Sequence, residues 1–131
     1  MSLTVLLRIR QRAQFDAVLS SPPVAKSPHF ALHRASGSAL AHAPHLFPVQ
    51  GVWFGVMVPK RWAKRAVTRN LLRRQMYAMA QAHLPSATAC AVVVRLRSGF
   101  AVSRFPSAAS TALKQLVRQE LSTLLAGAPR A

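Results

Sequence analysis

The hydrophobic pattern switches period several times along the chain, and each switch marks an element. In QRAQFDAVLS (11–20), Phe15, Val18 and Leu19 fall at helical spacing, and the Ser-Ser-Pro-Pro that follows cannot continue a helix. HFALHRA (29–35) has the strand period, with Phe30 and Leu32 on one face and His29, Ala31 and His33 on the other. Residues 36–50 mix Gly, Ser, Pro and His without either period and are expected to form an irregular loop. GVWFGVMV (51–58) reads as a buried strand stopped by Pro59. From about Trp62 to His83, Leu72, Met76, Met79 and Ala80 recur on one side of a long helix, which Pro85 ends. ACAVVVRL (89–96) is apolar on both faces, as an interior strand is. A connector over 97–107 leads to a last helix, from about Pro106 to Leu125, with Leu113, Leu116, Val117, Leu121 and Leu124 on one side. This order, with no internal repeat and no dividing linker, predicts a single α+β domain over 1–131 with flexible termini.

Charge changes the picture more than composition does. The chain has 18 Lys and Arg against two acidic residues, Asp16 and Glu120, a formal net charge of +16 over 131 residues. That excess costs compactness through self-repulsion, and solubility alone does not call for it, so a polyanionic partner, nucleic acid first, is the economical explanation. Hydrophobic residues make up 51% of the chain, enough for a core, which excludes a disordered basic tail.

The basic residues concentrate at the long helix. Lys60, Arg61, Lys64, Arg65, Arg69, Arg73 and Arg74 are seven of the 18. On a helical projection Thr68, Leu72, Met76 and Met79 share one sector and Ala66, Asn70, Arg73 and Tyr77 another, flanked by Arg69 and Arg74. A solvated face would mix signs, yet no acid stands four residues from any of these cations. The like pairs 61/65, 65/69 and 69/73 should each cost a few tenths of a kcal/mol unless phosphates lie between them. Asn70 can read a base or sugar edge and Tyr77 can stack.

The remaining chemistry is sparse. Two acids about 100 positions apart cannot by themselves build a two-metal nuclease site. His29 and His33 would share a strand face, and His42 and His45 lie in AHAPH, but no carboxylate is near either pair in sequence, so surface or RNA-contacting imidazoles are expected rather than catalytic or metal-binding ones. Cys90, the sole cysteine, sits in an apolar run as a small buried hydrophobe. The amino-terminal apolar stretch is too short for a secretory segment, and no run is long enough to span a bilayer, so a soluble chain in a reducing compartment is expected, with no membrane partner. These residues by themselves indicate nucleic-acid binding, and a ribosomal or other structural RNA-binding protein fits them.

VPKRWAKRAVTRNLLRRQMYAMA resembles the signature of the protein subunit of bacterial ribonuclease P, a basic pair after a strand followed by K-x-A-V-x-R-N-x-x-K-R. Ala66, Val67, Arg69, Asn70, Arg73 and Arg74 stand in register with it. The early F-x-x-V helix, the FALH and GVMV strands, the AVVV strand and the final helix follow in the family's order. Leu71 departs from the usual Arg-Asn-Arg, Tyr77 stands where another basic residue is common, and Leu19 and His33 stand where an aromatic is frequent.

The resemblance implies an α-β sandwich with a mainly antiparallel central sheet and a left-handed βαβ crossover around the signature helix. It implies a subunit of an endoribonuclease that removes 5′ leaders from precursor tRNA in the cytoplasm. The RNA subunit and its Mg²⁺ supply the chemistry, and this chain carries no catalytic residue. The partners implied are that catalytic RNA and precursor tRNA, with no further protein required. Lys60, Arg61, Lys64, Arg65, Arg69, Asn70, Arg73, Arg74 and Tyr77 would bind RNA. A leader cleft between the first helix and the sheet would be formed by Phe15, Leu19, Ala31 and His33, with Lys26 and Arg34 as nearby charges.

Overall fold

Strand β5 (Cys90–Leu96) is the axis of the molecule, buried on both faces between β4 (Val52–Met57) and β3 (Phe30–Ser36). In this computed structural model residues 6–84, 89–100 and 111–126 are described. The sheet order is β1-β4-β5-β3-β2, where β1 is Leu6–Arg8 and β2 is Ala25–Lys26. β1 and β5 both run parallel to β4, whereas β3 runs antiparallel to β5 and to β2. The sheet is therefore mixed rather than mainly antiparallel, because β4 and β5 are joined by a helical crossover that returns the chain to the same end.

Alternation along the strands sorts the side chains onto two faces. Phe30, Leu32, Val52, Phe54, Val92, Val94 and Leu96 pack against α3 (Ala66–His83) and α4 (Thr111–Ala126), whose Leu72, Met76, Leu113, Val117 and Leu121 are almost completely buried. Ala91, Val93, Trp53 and Ile9 form a smaller cluster on the opposite face, under α1 (Arg12–Leu19), with Val18 as its most buried contact. Helix α1 is pinned by Gln14, which is 5% exposed. Its Oε1 accepts the backbone N–H groups of Arg10 and Gln11, and its Nε2 donates to the carbonyl of Leu46 at 2.7 Å.

Four elements depart from the pattern expected of the sequence. Residues 36–50 contain a short helix, α2 (Gly37–Ala41), capped by the Ser36 hydroxyl, and Phe47 of the same segment packs edge-on against Trp53. The long helix begins at Ala66 rather than near Trp62. A separate turn follows Pro59, and Arg65 keeps an extended backbone (ψ 134°) before the helix opens. β1 and β2, of three and two residues, carry too few positions to show a period. Residues 1–5 and 127–131, within the termini expected to be flexible, Pro85, and most of the 97–107 connector with the start of the last helix before Thr111 lie outside the described residues.

The short helix α1 can approach the sheet because Gly55 has no side chain. A Cβ there would lie 2.7 Å from Cε1 of Phe15 and 3.0 Å from Cβ of Ile9. Gly55→Ala is expected to destabilise the chain by about 1–3 kcal/mol through overpacking, measured by denaturant unfolding. An unchanged midpoint would show that Phe15 swings aside at no cost.

Candidate nucleic-acid interface

Helix α3 buries Leu71, Leu72, Gln75, Met76, Met79 and Ala80 and turns Asn70, Arg73 and Arg74 to solvent. Leu71, where the resemblance suggests a third basic residue, is 4% exposed and belongs to the core. Lys60, Arg61 and Lys64 stand exposed on the turn before the helix, and the exposed Arg65 occupies its N-cap position. No side chain caps this end and no acid lies in the first turn, so the positive end of the helix dipole adds to the charge of the arginines. Arg69 is half-buried. Its Nη1 donates to the carbonyls of Ala63 (3.0 Å) and Lys64 (2.8 Å), tying the approach turn to the helix.

Tyr77 is held rather than free. Its ring meets Phe54 edge-on at 5.6 Å, and the Arg8 guanidinium lies 4.1 Å from its centroid. Arg8 thereby carries the basic surface from α3 onto the edge strand β1. Trp62, 38% exposed with Arg61 over its ring, puts a second aromatic beside the approach turn.

On the other face a groove of about 620 Å³ opens between α1 and the Val56–Pro59 end of β4. Phe15 and Leu19 line it from α1, Met57 forms part of its floor, and Arg10, Arg12 and Arg73 supply charge. Arg73 thus belongs to both the signature helix and the groove. Asp16 lines the same space.

Two residues expected in this cleft offer it no surface. Ala31 is fully buried and His33 is 5% exposed. The Nδ1–H of His33 donates to the carbonyl of Ser21 at 3.0 Å, which leaves Nε2 as acceptor for the Nε–H of Arg95, also at 3.0 Å. Burial holds the imidazole pKa below its ordinary value and the Arg95 charge adds to this, while the bond to Ser21 opposes it. Lys26 is exposed on β2, whereas Arg34 alternates onto the α3/α4 face, where its guanidinium adjoins the Cys90 thiol. Burial pushes that thiol pKa up, as suits a core cysteine.

The two acids are separated by the sheet, Asp16 on α1 and Glu120 on α4. Glu120 accepts the backbone N–H of His29 at 2.8 Å and pairs with its Nδ1 at 3.0 Å, joining α4 to the start of β3. A carboxylate 91 residues away therefore orients the histidine that has none near it in sequence. His29 also stacks on Phe100 at 3.9 Å. His42 and His45 are exposed, and among the described residues no group of three or more His, Cys, Asp or Glu side chains could hold a metal ion.

Sequence reasoning did not single out Arg8, Arg10, Arg12, Trp62 or Arg95. The first three lie in RIRQR, a basic run with no helical or strand period of its own. Arg95 interrupts an apolar strand, and that interruption was the available signal.

A family model described as Ribonuclease P matches residues 3–124. The ribonuclease P protein component of Ralstonia pickettii (strain 12J) is 33% identical over 124 residues, covering 94% of this chain and 79% of that protein. The corresponding protein of Paraburkholderia xenovorans (strain LB400) is 28% identical, with 94% and 81% covered. The RNase P protein of Staphylococcus aureus has the same fold, with a TM-score of 0.65 at 18% identity over 90% of this chain and 91% of that one. The RNase P protein from Thermotoga maritima gives 0.63 at 18% identity over 93% and 97%.

The His33 network generates a pH dependence. The unfolded chain binds the imidazole proton more readily than the folded chain, so the stability contributed by neutral His33 is full above its unfolded value of 6.5. It is lost as the pH falls from there through the lower folded value. Denaturant unfolding at a series of pH values should show a loss below 6.5 that His33→Gln lacks. Parallel pH profiles for the two chains would sink the assignment.

Proposed function

Because the chain belongs to the ribonuclease P protein family, we propose that it holds the catalytic RNA on the exposed face of α3 and the 5′ leader of precursor tRNA in the groove beside α1. As the protein subunit of an endoribonuclease it serves tRNA 5′ maturation, and cleavage itself belongs to the RNA. The observation that carries the reading is the continuity of charge: Arg73 lies on the signature helix and lines the groove, where Arg10 and Arg12 join it. One strand of RNA can meet both surfaces without leaving a positive field.

The contacts differ in kind. Lys60, Arg61, Lys64, Arg65, Arg73 and Arg74 supply exposed charge for phosphates, and Asn70 supplies an amide for a base or sugar edge. Arg69 keeps the approach turn on the helix and presents its remaining N–H groups beside that turn. Phe15 and Leu19 give the leader an apolar wall, and a ring stacks on any base, which suits many different leaders.

Mg²⁺ supports the cleavage chemistry when held by the RNA. With Asp16 and Glu120 on opposite faces and Glu120 engaged by His29, the described residues do not fit a carboxylate-bridged metal pair. A left-handed turn of the β4–α3–β5 crossover, a single RNA-binding domain and a cytoplasmic setting complete the reading. Among the described residues no helix is long and apolar enough to cross a membrane.

Reconstitution tests the whole. Adding the chain to ribonuclease P RNA at low Mg²⁺ is expected to stimulate leader removal, and the log of RNA affinity should fall against log salt with a slope of roughly −4 to −6 for five to seven neutralised phosphates. RNA binding without stimulated cleavage would indicate a structural RNA-binding protein instead. Phe15→Leu keeps an apolar side chain without the ring, and should weaken leader-bearing precursor by about 1–3 kcal/mol while sparing mature tRNA. Equal weakening of both ligands would assign Phe15 to the core alone.

A further inference from the structure

Beyond α1, one row of register partners crosses the same face of the sheet, Lys26 on β2, Ala31 on β3, Arg95 on β5 and Met57 on β4. Ala31 contributes a buried methyl, so Arg95 is the long side chain in the middle of the row. Its neighbour Met57 belongs to the groove floor. A lone arginine on an open sheet would sample many rotamers, but this one is aimed. Its Nε is fixed to His33, and among the described residues its Nη groups take no hydrogen bond.

His33 is suited to that task. Its ring is buried, so it cannot serve as a base-stacking platform. Both nitrogens are committed, one to the Ser21 carbonyl beside the end of α1 and one to Arg95. The Ser21 carbonyl can only accept, which keeps the proton on Nδ1 and the lone pair on Nε2 facing the arginine. The imidazole thus links the position of α1, one wall of the groove, to the direction of a guanidinium one strand over from Met57 of the groove.

We propose that Arg95 is a leader-phosphate contact on the open sheet face and that His33 is its positioning residue. This rests on the leader-groove reading above and adds to it a residue and a mechanism. Because the buried His33 ring offers no face to a base, this part of the sheet holds a phosphate instead. The occupant fits the surroundings: Lys26 continues the row on one side, and Arg10, Arg12 and Arg73 charge the groove beyond Met57, against the single carboxylate of Asp16. A guanidinium whose Nε is already engaged keeps its Nη edge for a phosphate oxygen.

The test uses the complex reconstituted with ribonuclease P RNA, probed with precursor tRNA bearing a leader and with mature tRNA. Arg95→Ala is expected to weaken the precursor about tenfold and leave mature tRNA unmoved. His33→Phe, which keeps a buried ring and deletes both nitrogens, should reproduce most of that loss. His33→Gln, whose amide can accept from Arg95 and donate to Ser21, should restore affinity. In an Arg95→Ala background, His33→Phe should add nothing. Full additivity of the two substitutions, or equal weakening of both ligands by Arg95→Ala, overturns the proposal. Should His33→Phe fail to fold, failure of His33→Gln to retain leader selectivity overturns it equally. A leader-selective Phe15→Leu beside a non-selective Arg95→Ala removes this inference and leaves the groove standing. Loss of selectivity in neither variant removes the groove itself.

Discussion

The parallel pairing of β4 with β5 obliges the chain to travel back across the sheet before β5 can begin, and α3 is that return. Because the helix must lie on the sheet, its Leu72, Met76 and Ala80 are spent on the core and its opposite side must face solvent. The basic surface is a product of this constraint. Arginines and lysines that repel one another are held together by an apolar stripe on the far side of the same helix, reinforced by contact with α4 and by the Arg69 bonds to the approach turn. The fold supplies the energy that concentrates the charge, and RNA phosphates supply its counter-charge.

The second face of the sheet follows from asymmetry of cover. Two long helices close one side, while on the other α1 has eight residues and α2 five. What α1 leaves open becomes the groove, and Gly55 under Phe15 is what lets that helix sit close to the sheet beside it. The two sides communicate at the β4–α3 junction. There Pro59 ends the strand at the groove, and Arg73 reaches the same space from the helix.

Elements that carry their own period were legible in the sequence: α1, β3, β4, β5 and the buried stripe of α3 all lie close to where the apolar spacing puts them. β1 and β2 were not, since strands of three and two residues are defined by partners elsewhere in the chain rather than by a pattern. The start of α3 was misread because the turn after Pro59 has helix-compatible residues, and the extended backbone of Arg65 leaves no mark in composition. At the site, exposure of Arg73 and Arg74 on α3 followed from their sector, and Phe15 and Leu19 face the groove. His33 shows the limit of facial alternation: the strand period gives its side of the sheet correctly, but burial there depends on Ser21 and Arg95, 12 and 62 residues distant. Glu120 meeting His29 is the same lesson over 91 residues.

Among the described residues the sheet is edged by β1, with Arg8, and β2, with Lys26. An open strand edge is a template on which a second chain can build, and a protein that must wait for a large RNA partner is exposed to that hazard while it waits. A cation on each edge makes the approach of another copy of a +16 chain unfavourable. The charge that draws RNA in therefore also opposes the edge-to-edge pairing of two copies of the subunit.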